Sequence, residues 1–446
     1  MKRSPWRYLW KSEDIRKKLL ITLILLVIYR LAANIPVPGI NRAVLEALAT
    51  GGGAAGNLFS LLDMLSGGTV SKFSILAMGV YPYITAQIII QLLVPIIPAL
   101  ERKLKDDPRE GRKWMERWTV ILTIPMALLS AIGQINIFNS MTGGASILTN
   151  YGFSGANLLP TIAVLISMVA GTMFGIWLGQ LISEFGIPNQ GLSLIIFSGI
   201  VSGIPRNITS LLADKVNGWW MLLVILAILL LTIFAIVYVQ QGRRFVPVLF
   251  PGRRIGNRMS MPVRSNLPLM VNMAGMIPLI FAQSFMSFPA IIASYFMNSS
   301  AEWLKNFAGS IYRLFGGNNI WYAVLFFVLV VVFTYFYTDV MFTQQNYGDN
   351  LKRQGAQIPG VIRGGQTQKY LTKVQRRITL PGALFLGLVA VLPYILSAIL
   401  PASSSKGLLL ISSAGLLIVV GVVRDTVNII QTELKLHGYE EDLIKG

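Results

Sequence analysis

The side chains that ordinarily carry chemistry are scarce in this chain. It has no Cys and a single His437, which removes thiolate metal sites, a Cys nucleophile and disulfides and argues against His-based metal or triad chemistry. No phosphate-binding Gly-Lys motif, HExxH or Ser elbow occurs, so an enzyme is not expected. What remains is a set of polar and charged groups inside apolar runs. Arg30, Asp339 and the pair Arg424-Asp425 lie toward run ends, while Thr85, Gln91, Asn272 and Gln283 lie deeper. In an apolar medium such groups cost free energy unless they pair across helices or are wetted by a cavity, and interhelical pairing is their ordinary role. Ion-coupled carriers place acidic groups near the bilayer midplane, and none is evident.

The elements that must hold these groups are membrane helices. Of the 446 residues 54% are hydrophobic and only 13% charged, with mean hydropathy +0.62, far more apolar than a soluble protein of this size. A helix crosses in about 17 to 25 residues. Ten spans are expected near Leu19–Ile35, Ile75–Ile97, Trp118–Ile137, Leu158–Ile182, Gly191–Ile204, Trp219–Val239, Leu267–Ile292, Trp321–Phe342, Thr379–Leu400 and Gly407–Val423. The Lys-rich start and Ala32-Ala33 would also suit a signal peptide, but nine further spans favour an uncleaved first helix. The net charge of +19 sorts by loop. Residues 1–18, 101–117, 243–264, 343–377 and 424–446 hold 30 of the 38 Lys and Arg. Because positive charge stays inside, both termini and these loops are expected in the cytoplasm. The spans divide into halves of five, 19–215 and 216–423, between a cytoplasmic start (1–18) and tail (424–446). An odd number per half would make duplicated halves inverted. Both second members, spans two and seven, carry a proline read as internal, Pro82 and Pro278.

Several segments do not behave as spans. Asn57-Leu58-Phe59-Ser60-Leu61-Leu62-Asp63-Met64-Leu65 is apolar but too short to cross, and Ser66-Gly67-Gly68 ends it. It suits either a half-helix buried in protein or an amphipathic helix on the outer surface. Gly171, Gly175 and Gly179 form a ladder in span four, which ordinarily means close helix packing. The long basic loops 241–266 and 343–377 alternate apolar and basic residues with Pro and Gly, which suggests ordered projections. These could dock on RNA phosphate or an acidic protein, or could be topogenic charge in contact with anionic lipid.

In order along the chain, Pro36-Val37-Pro38-Gly39, Ser66-Gly67-Gly68, Pro82-Tyr83-Ile84-Thr85-Ala86, Gln91-Leu92, Gly111-Arg112, Asn189, Phe197-Ser198-Gly199-Ile200-Val201, Val271-Asn272-Met273-Ala274-Gly275, Gln354-Gly355-Ala356, Pro359-Gly360 and Tyr439-Glu440 resemble the SecY family, the channel-forming subunit of the bacterial protein translocon. The resemblance covers essentially the whole chain. It implies an all-α polytopic fold of two inverted five-helix halves around an hourglass pore, with Asn57–Leu65 as the plug. It implies a pore ring of Val80, Ile84, Leu192, Ile196, Met276, Ile280 and Ile418, and a lateral gate of spans two and three against seven and eight with polar positions Thr85, Gln91 and Asn272. Arg253, Arg254, Arg363, Lys369 and Tyr439 would meet the SecA motor ATPase or the ribosome. SecE- and SecG-type small subunits, signal peptides, nascent polypeptides and the lipid bilayer complete the implied partners, in the bacterial inner membrane. No cofactor is implied, and energy would come from the partners.

Three departures stand out. Val361-Ile362-Arg363-Gly364-Gly365 replaces the family's Gly-Ile-Arg-Pro-Gly, Ile187-Pro188-Asn189-Gln190-Gly191 replaces a more glycine-rich turn, and Met276 is softer than the usual aliphatic. The rival readings are an inverted-repeat secondary transporter and a membrane scaffold whose basic loops hold cytosolic partners.

Overall fold

A chain in lipid must satisfy its backbone groups internally, so apolar runs become helices. The computed structural model describes residues 12–41, 73–100, 102, 107–141, 147–148, 150–152, 155–212, 218–250, 254–255, 258–259, 263–296, 301–315, 320–362, 364–399 and 413–436. A helix lies at each expected span: α1 (Glu13–Ala32), α2 (Tyr81–Ile96), α3 (Pro108–Met141), α4 (Leu158–Phe185), α5 (Gly191–Leu212), α6 (Gly218–Gln241), α7 (Ile277–Phe296), then, beyond the outer helix α8 (Glu302–Phe315), α9 (Ile320–Gln344), and, beyond the short α10 (Tyr347–Arg353), α11 (Gly365–Ile399) and α12 (Ser413–Leu436). Among the described residues, stretches within α3, α4 and α11 and a fourth running from α9 through α10 are long and apolar enough to cross by length and composition alone. Shorter apolar stretches lie in α2, α5, α6 and α7.

Spans two and seven differ from expectation in the same way. Span two was expected to be helical from Ile75, but 73–80 is a chain of turns and the helix begins at Tyr81 with Pro82 in its first turn. Span seven was expected from Leu267, but Leu267–Met270 belongs to a strand, and an irregular turn with Gly275 at φ 64° leads into α7, where Pro278 is the second residue. The two prolines therefore start helices rather than interrupt them, because their fixed φ suits the first turn and their missing N–H is unneeded there. At sixteen residues α2 is roughly 24 Å long, short of a hydrocarbon core of about 30 Å. The buried turns before it supply the remaining depth, with Phe73, Leu76 and Ala77 at 0% exposure. Non-helical backbone is tolerated at that depth only where protein covers it.

The first basic loop is a β-hairpin. β1 (Arg243–Phe250) pairs antiparallel with β4 (Val263–Met270) from Arg243↔Met270 to Phe250↔Val263, and β2 (Arg254–Ile255) pairs with β3 (Arg258–Met259) toward the tip. Leu249 and Gln357 exchange both backbone hydrogen bonds at 2.8 Å, so the second basic loop adds to the hairpin edge. Beneath them Val246, Val248, Leu269, Phe342, Leu351, Ala356, Ile358 and Leu371 form a small core of their own. The Tyr347 ring packs against Phe342 there, centroids 5.0 Å apart and tilted by 40°. The expectation of ordered projections is met by one body built from both loops.

Helix α8 lies between the seventh and eighth expected spans, where no helix was expected. Its Tyr312 packs against the core formed by α3, α4 and residues 73–78, while its Phe315 packs against the core of α7, α9 and α11. It therefore touches both halves of the bundle.

Candidate functional site

Seven residues named from sequence come from four separated stretches of chain, and the fold brings them to one place. Val80 ends the turns before α2 and Ile84 lies in its first turn. Leu192 and Ile196 lie at the start of α5, Met276 and Ile280 at the start of α7, and Ile418 early in α12. Val80, Ile196, Ile280 and Ile418 are members of a single buried cluster, and Ile84, Leu192 and Met276 pack against it. In this conformation the side chains close on one another, and those four core members are at most 8% exposed. The starts of α2, α5, α7 and α12 are what place them. Each first turn delivers its i and i+4 positions to the same face, and this holds for 80/84, 192/196 and 276/280.

The glycine ladder seats α4 against this waist. A Cβ on Gly171 would lie 2.0 Å from the Ile75 carbonyl oxygen, and one on Gly179 would lie 2.9 Å from Leu192 Cδ2. The packing reading of the ladder is the one the geometry supports. Arg30 donates to the carbonyls of Ser198 (3.0 Å) and Gly199 (3.3 Å), tying α1 to the Phe197-Ser198-Gly199 stretch of α5. At the other end Arg424 holds Asp425 at 2.7 Å and reaches the Gln240 carbonyl at 3.4 Å, joining α12 to α6.

Helix α7 packs against both α2 and α3, and this seam is where the two halves meet beside the waist. Its apolar part comes from Ile88 of α2 with Leu279, Phe281, Ala282 and Met286 of α7. The three polar positions named from sequence do not pair across it. Thr85 Oγ1 donates to the Tyr81 carbonyl of its own helix (3.1 Å), and Asn272 Nδ2 donates to Gly275 in its own turn (3.1 Å). Among the described residues, Gln91 Oε1, Asn272 Oδ1, Gln283 Oε1 and Ser284 Oγ are buried with no partner.

A bond that does cross the seam, among the described residues, belongs to a residue that sequence reasoning passed over. Tyr81 Oη donates to the Ser284 carbonyl at 3.2 Å, buried, between α2 and α7. Tyr81 carries no role in the sequence analysis above. The available signal was its phenol at membrane depth, because a buried Tyr hydroxyl needs a partner.

The remaining named residues are distributed as follows. Lys369 is exposed near the start of α11. Arg254 pairs with Met259 in the hairpin tip. Asn57–Leu65, Arg253, Arg363 and Tyr439 lie outside the described residues.

A bundle of apolar helices with a waist of aliphatic side chains, a seam between two halves and a folded basic projection defines a polytopic membrane channel. Solved structures share this fold. One described as "a protein conducting channel" covers 98% of this chain and 99% of its own with a TM-score of 0.63 at 17% identity, and Sec61 from the canine ribosome–channel complex matches with a TM-score of 0.58. The family model described as SecY matches residues 74–427. The protein translocase subunit SecY of Streptomyces scabiei is 34% identical over 443 residues, 97% of each chain, and that of Mycobacterium bovis is 35% identical over 442 residues, 96% of this chain and 97% of its own. The chain belongs to the SecY family.

Proposed function

We propose that this chain is the channel subunit that passes unfolded polypeptides across the bacterial inner membrane and releases apolar segments sideways into the bilayer. The observation that carries this reading is the convergence of Val80, Ile84, Leu192, Ile196, Met276, Ile280 and Ile418 on one apolar cluster beside an inter-half seam. A narrow ring of aliphatic side chains disfavours water and ions yet offers a passing chain no specific bond to break. The seam of α2 and α3 against α7 and α9 is the lateral gate. Segments that prefer lipid leave through it, and polar segments continue. Asn57–Leu65 is the plug in this reading, closing the outer side.

The two halves are read as inverted repeats of residues 19–215 and 216–423. The shared start of α2 and α7, where turns with a positive-φ glycine (Gly79 and Gly275) run into a proline in the first helical turn, supports that reading. Lys18 at the head of α1 pairs with Glu433 on α12 at 2.5 Å, which supports both termini on one side, and the basic segments argue that this side is the cytoplasm. The joined basic loops, with Arg253, Arg254, Arg363, Lys369 and the tail residue Tyr439, form the docking surface for SecA or the ribosome, and SecE- and SecG-type subunits complete the channel.

The test is reconstitution of the full chain with its co-purified small subunits into vesicles. A protease-protected, signal-bearing substrate in the lumen on addition of the motor ATPase is expected. Saturable uptake of a small solute without any polypeptide transport would overturn the reading.

A further inference from the structure

On the basic side of the bundle, a cavity of about 530 Å³ opens between α9 and α11, lined among others by Tyr335 of α9 and by Lys369, Lys373, Arg376, Arg377 and Leu380 of α11. Asp339 at its edge is already committed, since Arg376 Nε meets both its carboxylate oxygens at 3.1 Å and Nη2 meets one at 2.6 Å. Lys369, Lys373 and Arg377 are thus left without a carboxylate among the described lining residues. Their spacing of i, i+4 and i+8 stacks three like charges on one helical stripe, an arrangement that opposes helix formation on its own. A stripe of that kind facing a cavity calls for an anion.

What lies below the cations decides which anion. The α11 stripe continues through Leu380, Leu384 and Leu388, which are 51%, 45% and 54% exposed, and α9 presents Val332, Val328 and Val324 at 54%, 48% and 50%. The antiparallel register puts the two rows at the same levels, with Asp339 opposite Arg376 and Gly387 against Phe327 and Val331. The cavity is therefore the polar head of a furrow whose floor is two rows of exposed aliphatic side chains running into the bilayer. A free phosphate or an acidic peptide would use the cations and leave that floor unused. A phospholipid uses both.

We propose that the α9–α11 furrow binds one anionic phospholipid from the surrounding bilayer, with its phosphodiester held by Lys369, Lys373 and Arg377 and its acyl chains laid along the Leu380–Leu388 and Val324–Val332 rows. The site does not depend on what the channel conducts.

The full chain in nanodiscs of equal phosphatidylglycerol and phosphatidylcholine, released into the gas phase for native mass analysis, reads which lipid stays bound. Wild type is expected to retain phosphatidylglycerol in preference. Lys373→Gln with Arg377→Gln is expected to cut that preference about thirtyfold, at about fivefold per surface cation. Lys113→Gln, which removes an exposed charge on α3, should leave it unchanged. If the double variant does not fold, Lys369→Gln, which sits at the mouth of the furrow, should show the single fivefold loss. A double variant that keeps the preference, an equal loss in Lys113→Gln, or displacement of the lipid by millimolar inorganic phosphate would each overturn the proposal, the last by making the furrow a free-anion site.

Discussion

Replacing Tyr81 with Phe removes one hydroxyl from the α2–α7 seam, proposed above as the lateral gate, and leaves the ring that fills it. The hydroxyl donates to the Ser284 carbonyl at 3.2 Å in a buried setting, from α2 in one half to α7 in the other. A neutral hydrogen bond of this kind contributes about 0.5–1.5 kcal/mol net, so its loss shifts the gate toward open by about two- to tenfold. A shift of that size is visible because the closed seam is already loaded. Beside that carbonyl on α7, Gln283 Oε1 and Ser284 Oγ are buried without partners among the described residues, and an unmet buried acceptor of this kind costs about 1–3 kcal/mol. The assay is export of a reporter carrying a weakened signal sequence, read beside the distance between spin labels on α2 and α7. The chain has no Cys of its own, so labelled positions report without background. Tyr81→Phe is expected to export more of the weak-signal reporter and to broaden the α2–α7 distance toward longer values, with normal insertion and abundance. Unchanged export with unchanged distances would refute the reasoning, because the Tyr81–Ser284 bond would then carry no part of the seam's closure.

Four further outcomes follow from the same geometry. Ile280→Gly and Ile196→Gly should make reconstituted vesicles leak small ions while still inserting, read by dye flux. Gly171→Ala should abolish accumulation, because its Cβ would lie 2.0 Å from the Ile75 carbonyl oxygen, whereas Gly309→Ala in α8, with nothing within 4 Å, should be tolerated or slightly stabilising, read by thermal melting in detergent. Gln357→Pro removes the N–H that meets Leu249 and should weaken motor or ribosome binding severalfold in a pull-down without altering ion tightness. Arg30→Met breaks two charge-assisted bonds to α5 and should lower stability by about 1.5–3 kcal/mol, read by denaturant unfolding in detergent.

The spans were legible because hydropathy over about twenty residues is a strong, local signal, and each expected run carries a helix. The beginning of span seven was not. Leu267 to Met270 is as apolar as a helix, but Pro268 and the alternation of Leu267 and Leu269 suit a strand, and only the pairing with Arg243–Val246 decides it. Hydropathy has no term for a partner strand about twenty residues away. Span two was misjudged for a related reason. Ile75 to Val80 is apolar because it is buried, and burial rather than helicity is what the composition encoded. At the waist, family likeness supplied the seven positions, and the local rule that would have grouped them is the i, i+4 spacing at the starts of α2, α5 and α7. The gate was the least legible part. Thr85 and Asn272 look like cross-helix donors in one dimension, yet each finds a carbonyl within its own segment, leaving the crossing bond to Tyr81. Which donor reaches across depends on the approach of two helices some two hundred residues apart, and no local pattern records it.

The central claim is that the aliphatic waist is the path of the moving chain. The most direct measurement places a photo-crosslinking residue in turn at Ile84, Ile196, Met276 and Ile280 and stalls a translocating polypeptide in the reconstituted channel. The account predicts that all four capture the polypeptide, while the same probe at the exposed Leu384 captures lipid. Crosslinks from the four positions to neighbouring helices alone, during transport that is demonstrably under way, would contradict it.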